Sequence, residues 1–282
     1  MSFPLPAFTR SVGDVLAEIL MTRAAFLGAI VLVEGPSDSR FISRHLGPGM
    51  AQLVISDGKS TLVGAITGIG GLNVSGCVGI IDLDFDHRQG KQAIPNTVYT
   101  DTHDIETLLM SKRLKTVLKE LAEDGKMVAF ELAQGCSAAD GILQRSAIFS
   151  QLRFLNDVAP AFGVGMTAFK PWKYIDVATW EVNSTQLHAD FASACVTSSA
   201  QIQTLILGLP NLQTWKDVQG HDALAVLSIG LRRVLGNGVQ VSEHSLCSAL
   251  RLAFSEDDFR ATSLYAGLAA WSIATGGLSL FN

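Results

Sequence analysis

Glu34, Asp82, Asp84 and Asp86 are the residues whose type and spacing point most directly to chemistry. The three aspartates follow the apolar run Cys77-Val78-Gly79-Ile80-Ile81 at two-residue spacing, and in a strand residues i, i+2 and i+4 share a face. Three carboxylates on one face repel one another and lose solvation, and a divalent cation relieves both costs. A second apolar run, Ala29-Ile30-Val31-Leu32-Val33, ends in Glu34-Gly35. Two buried strands delivering acids to one edge would make a Mg²⁺ site, with Mn²⁺ as a substitute. Such a site serves phosphate chemistry.

Those acids need a frame. Apolar periodicity predicts helices over 11–25, 37–46 and 60–69, and strands over 29–33, 52–55, 77–81 and 96–100. Strands alternating with helices imply an α/β fold with a mainly parallel sheet flanked by helices. In such sheets functional groups gather beyond the carboxyl ends of the strands, where Glu34 and the three aspartates would lie. Further on, helical patterns dominate: 114–122, 138–152, 186–195, 201–207, 222–235, 245–252 and 259–273, with 170–177 extended. The expected organisation is a catalytic domain with an N-terminal helix over 1–110 and a mainly helical domain over 111–282.

Several other groups have two readings. Glu34 is either a metal ligand or the general acid–base. Asp38, four residues on, either assists catalysis or caps its helix. Lys59 follows the second strand, where it would contact a phosphate or sit in solvent. After the fourth strand, Glu106 is the functional candidate and Asp104 the helix cap, with Thr102 or His103 competing as cap. His87 and Arg88 either touch the scissile phosphate or form a solvated turn. Lys170, Trp172, Lys173 and Tyr174 interleave basic and aromatic groups as single-stranded nucleic-acid surfaces do, unless the aromatic pair only packs. Asp222 reads as a cap for the helix that follows it.

Composition sets limits. With 282 residues, 48% hydrophobic and 17% charged, the chain can bury a large core and is not disordered. A net charge of -5 provides no global attraction to nucleic acid, so such a role needs local basic patches and bound metal. The mean hydropathy of +0.31 fits buried faces together with an oligomer or partner interface. Four cysteines without CxxC spacing read as buried free thiols of a reducing compartment, the cytoplasm. The N-terminus lacks a signal-peptide pattern, and the apolar stretch 24–33 is too short to cross a bilayer, so no membrane association is expected.

Val33-Glu34-Gly35-Pro36-Ser37-Asp38, Asp82-Leu83-Asp84 and the spacing between them resemble a TOPRIM domain over residues 29–110. That is the catalytic fold of topoisomerases, bacterial primases and OLD-family nucleases. The resemblance implies acid–base catalysis by Glu34 and Mg²⁺ held by Asp82 and Asp84. Thr100-Asp101-Thr102-His103-Asp104-Ile105-Glu106-Thr107-Leu108 resembles the DUF4435 branch of these proteins, with Thr107 where the branch usually has asparagine. Residues 169–176, Gly220-His221-Asp222-Ala223-Leu224, Thr262, Leu264 and Trp271 extend the likeness over most of the chain.

That branch includes the nuclease effector of the PARIS anti-phage defence system. The resemblance therefore implies a toxic endonuclease held in check by an ABC-like ATPase encoded by a separate gene. It also implies a homo-oligomer when active and cleavage of host tRNA in preference to DNA. No ATPase is encoded here, because Gly58-Lys59-Ser60 lacks the preceding Gly-rich loop of a Walker A sequence. An OLD-like DNA endonuclease and a non-catalytic regulator keeping the fold stand as alternatives. Against a primase or topoisomerase count the missing zinc-binding cysteines and the missing tyrosine-bearing cleavage domain.

Overall fold

β1 (Ala29–Val33) and β3 (Cys77–Ile81) are unbroken apolar runs, and in the computed structural model every residue of both is buried. The structure describes residues 9–72, 74–159 and 162–282. The first eight residues, which the signal-peptide reading also used, lie outside these. β2 (Ala51–Ile55) and β4 (Thr97–Tyr99) flank the central pair less completely buried. All three pairings are parallel, in the order β2-β1-β3-β4, with Val31 opposite both Leu53 and Val78 and Ile80 opposite Val98. Parallel strands covered on both faces must be apolar throughout, which is why β1 and β3 show no alternation.

The chain divides into two compact units, each built from more than one segment. The first contains the chain up to Asp82, Lys91–Asp101 and Glu256–Asn282; the second contains Leu83–Gly90 and Thr102–Ser255.

In the first unit, helix Val12–Ala25 starts at a capping box in which Ser11 and Asp14 satisfy each other's backbone N–H groups. Its Val15 and Ile19 join Leu62, Ala65, Ile66 and Ile69 of helix Lys59–Gly70 against Ile30, Leu32, Val54 and Ile81 of the sheet. Gly79 makes that approach possible, since a Cβ there would stand 2.6 Å from the Leu62 side chain. Helix Pro36–Ile42 follows β1. The end of the chain returns to this unit: the Asp101 carboxylate accepts the N–H groups of Ser263 (2.6 Å) and Leu264 (3.0 Å) at the start of helix Ser263–Ala274. The segment read as one helix over 259–273 is two, Glu256–Arg260 and Ser263–Ala274, because Thr262 caps the second.

The second unit is mainly helical: Ile105–Leu121, Asp124–Gln134, Ala138–Val158, Ser184–Ala194, Ser199–Leu207, Gly220–Arg233 and Glu243–Ala253, with the short turn Asp86–Gln89. Helix Gly220–Arg233 is buried on most of its surface. Trp180, fully buried, donates its indole N–H to the Val226 carbonyl at 2.8 Å, and a Cβ on Gly230 would meet its ring at 2.6 Å. Arg145 lies 4.5 Å from the same ring and donates to the Trp180 carbonyl. The stretch 170–177 is not extended: Pro171 starts the single 3-10 turn Pro171–Lys173, and only Ile175 makes an isolated antiparallel bridge, to Val182.

The protein thus has a mixed α/β fold, a parallel four-stranded sheet flanked by helices with a helical region following it. Among the described residues no helix is long and apolar enough to cross a membrane. The four cysteines are free; Cys77 and Cys247 are buried, whereas Cys136 and Cys195 are half-buried.

Candidate functional site

Strand order fixes where the first unit can hold a site. From β1 the chain moves outward to β2, then crosses back over β1 to β3, so the direction of winding reverses at the β1/β3 boundary. In open parallel sheets this reversal opens a crevice beyond the carboxyl ends of the two strands. Glu34 directly follows β1 and Asp82 directly follows β3, whose pairing includes Leu32 opposite Gly79. The register brings them together: Glu34 Oε1 accepts the backbone N–H of Asp82 at 2.9 Å. Lys59 arrives from the end of β2 at the start of its helix, and its Nζ donates to the Asp82 carbonyl at 2.7 Å. Three residues singled out by sequence therefore meet at the backbone of Asp82.

The local backbone supports this. Gly58 donates its N–H to the Glu34 carbonyl at 3.0 Å and adopts φ 119°, a conformation that a side chain resists. Lys59 also lies 5.7 Å from the centre of the Tyr99 ring, at the end of β4. Asp38, buried, accepts the Gly35 N–H at 2.8 Å as the third residue of its helix. That bond holds the turn after Glu34.

The three aspartates do not continue one strand face. β3 ends at Ile81; Asp84 takes the left-handed φ of 45°, and Asp86, 6% exposed, opens the turn Asp86–Gln89. The chain leaves the strand path because Phe85 buries itself against His103 and Phe154, at ring distances of 4.9 and 5.1 Å. Alternation ends where the ladder ends, so their equal spacing implies no shared direction.

Within the second unit, Asp84 donates its N–H to the His103 carbonyl at 2.9 Å, and its carboxylate lies 3.7 Å from His103 Nε2. His87 and Arg88 share the buried Asp217: His87 Nε2 is 3.1 Å from it, and Arg88 grips it through Nε (2.7 Å) and Nη2 (2.9 Å). Burial pushes the Asp217 carboxyl up, but hydrogen bonds from Arg88, Thr214 and His87 outweigh it and hold the group below the ordinary carboxylate range. Asp217 went unread in the sequence; the only local signal was Thr214 three residues earlier, whose hydroxyl donates to it at 2.6 Å.

Glu106, 7% exposed, has the Cys247 thiol 3.9 Å from Oε1. Asp104 caps helix Ile105–Leu121 through the Thr107 N–H (2.8 Å) and also accepts the Gly220 N–H at 2.6 Å. The His-Asp-Ile-Glu and Gly-His-Asp segments therefore pack on each other. Asp222 is not a cap: Gln219 occupies that position, while Arg153 holds the Asp222 carboxylate at 2.5 and 2.8 Å. Lys170 and Lys173 lie on the exposed turn around Trp172, with Lys173 donating to the Ala168 carbonyl at 2.9 Å. Tyr174 is buried, its hydroxyl bound to Asp190 at 3.0 Å; burial, then that neighbour, pushes its pKa up to about 12.

Among the described residues no group of three or more His, Cys, Asp or Glu side chains is arranged to hold a metal ion. The acids at the β1/β3 edge nonetheless have the donor chemistry of a hard cation. Mg²⁺ needs only one or two carboxylates and keeps several waters, so a set built on Glu34 and Asp82 fits it. No family model matches the chain, and no curated protein matches it.

Proposed function

We propose that the protein is a Mg²⁺-dependent endonuclease of the TOPRIM type and DUF4435 branch. In this reading it is the toxic effector of an anti-phage defence system, controlled by an ATPase encoded separately, and host tRNA is its substrate. The observation that carries the reading is the meeting of Glu34, Lys59 and Asp82 at the β1/β3 crevice. An acid and a cation fixed on the backbone of one residue, at the edge where parallel sheets bind phosphates, suit phosphodiester hydrolysis.

Asp82 would hold the ion, with Asp84 as the further ligand that the sequence resemblance implies. Mg²⁺, when bound, supplies the positive charge that offsets developing charge on the phosphoryl oxygens. Glu34, oriented by the Asp82 N–H, takes the proton of the attacking water. Lys59 adds a second positive charge facing the phosphate.

Sequencing of cellular RNA and DNA ends after induction, with the natural trigger and the ATPase present, tests this reading. Cuts in tRNA that vanish in Glu34→Ala are expected. Cuts confined to DNA would replace the substrate, and no cuts in either would leave a regulator that keeps the fold.

A further inference from the structure

A cavity of about 330 Å³ opens in the second unit, lined by none of the acids of the β1/β3 edge. One wall is Trp172, whose side chain stands 61% exposed on the turn Pro171–Lys173. Ser228, Ile229 and Arg232 of helix Gly220–Arg233 form another, and Gln240 with Glu243, the first residue of helix Glu243–Ala253, close it. The volume is at the lower end of ligand pockets, about 300–1,000 Å³, and suits one flat heterocycle.

Apart from Ser228, whose hydroxyl donates to the Val241 carbonyl at 2.5 Å, its polar side chains are uncommitted. The indole N–H of Trp172, the guanidinium of Arg232, the amide of Gln240 and the carboxylate of Glu243 make no hydrogen bond or ion pair with another described residue. By contrast, the guanidinium groups of Arg88 and Arg153 in the same unit are engaged, on Asp217 and Asp222. Lys173 adds an ammonium 5.6 Å from the Trp172 ring centre.

We infer that this cavity binds a single unstacked nucleobase, and that its chemistry selects guanine. An exposed indole is a stacking platform for any base. A carboxylate in the same cavity disfavours a bare phosphate but accepts adjacent N–H donors. Guanine alone among the four RNA bases offers two of these side by side, N1–H and the exocyclic N2–H. Gln240 can donate to O6, while Arg232 and Lys173 balance the 5′-phosphate. The inference rests on the nuclease reading only for its ligand class, and no cleavage is needed to test it.

The full chain carrying Glu34→Gln, whose cleavage is slowed about 10²–10⁴-fold under that reading, is titrated with GMP and AMP and followed by intrinsic fluorescence and calorimetry. Saturable GMP binding is expected, at least tenfold tighter than AMP, with about tenfold or greater loss in Trp172→Ala and retention in Trp172→Phe. Glu243→Gln should bring GMP to the level of AMP. A four-nucleotide single strand with one guanine distinguishes the source: tighter binding than GMP marks a strand, equal binding a free nucleotide, and both support the cavity. Trp172 and Glu243 are not in the core, and far-UV circular dichroism checks that the variants fold. No saturable binding of any probe, or binding untouched by Trp172→Ala, would overturn the inference and leave the Glu34–Asp82 chemistry to its own test.

Discussion

Asp104 and Gly220 are 116 positions apart, yet the carboxylate of one accepts the N–H of the other at 2.6 Å. The same carboxylate caps its own helix through the Thr107 N–H, so one buried side chain serves two helix starts. A Cβ at Gly220 would lie 2.4 Å from Glu106 Cβ and 2.5 Å from Asp104 Oδ1, which explains why glycine stands there. Gly220→Ala should cost about 2 kcal/mol by forcing the two segments apart. Asp104→Ala, leaving two buried N–H groups without their acceptor, should cost about 2–4 kcal/mol. Urea unfolding with unchanged slope checks both.

Arg153 and Asp222 form a bidentate pair in which Asp222 is almost fully buried. Replacing either by Ala strands the other charge and should cost about 3–5 kcal/mol. The double variant should lose at least about 1 kcal/mol less than the sum of the singles, read from the same unfolding curves.

His45 is stacked on Phe259 at 4.1 Å and bonded to Glu256 at 2.8 Å. Burial lowers its pKa, and the Glu256 contact only partly offsets that. Between the lowered native value and the ordinary histidine value of about 6.5, the unfolded chain binds more protons than the folded one. This contribution to stability is therefore complete above about pH 6.5 and lost as pH falls through the native value. Unfolding from pH 7.5 to 5 should fall less steeply in His45→Gln than in the wild type.

Much of the frame was legible in the residues. β1 and β3 were read at their observed limits because a buried parallel strand is apolar on both faces. Helix Asp124–Gln134 was missed: it buries only Phe130 and carries Gly125 in its first turn, so its apolar stripe is faint. The Asp82–Asp84–Asp86 face failed because alternation says nothing once Phe85 draws the chain into other packing. Glu34, Lys59 and Asp82 could be chosen from sequence, since each follows a strand, but their meeting at the Asp82 backbone depends on strand order. Asp217 and Arg153 were invisible because their partners lie far along the chain, where spacing carries no signal.

Glu34→Gln keeps an oxygen to accept the Asp82 N–H, so thermal unfolding should match the wild type. Its cleavage rate should still fall about 10²–10⁴-fold, the scale of a lost acid–base group. Lys59→Met should lose on the order of 10²-fold, as when one charge-stabilising donor is removed. Single-turnover cleavage beside melting curves separates these losses from misfolding.

The nuclease proposal stands on Asp82 holding a hard divalent cation beside Glu34, with Asp84 as the further ligand that the sequence resemblance implies. Mn²⁺ titration of the full chain, followed by electron paramagnetic resonance, measures this directly. Saturable Mn²⁺ binding is expected, displaced by Mg²⁺ and weakened about tenfold or more by each of Asp82→Asn and Asp84→Asn. Binding that both variants leave unchanged, or no bound Mn²⁺ at millimolar concentration, would contradict it.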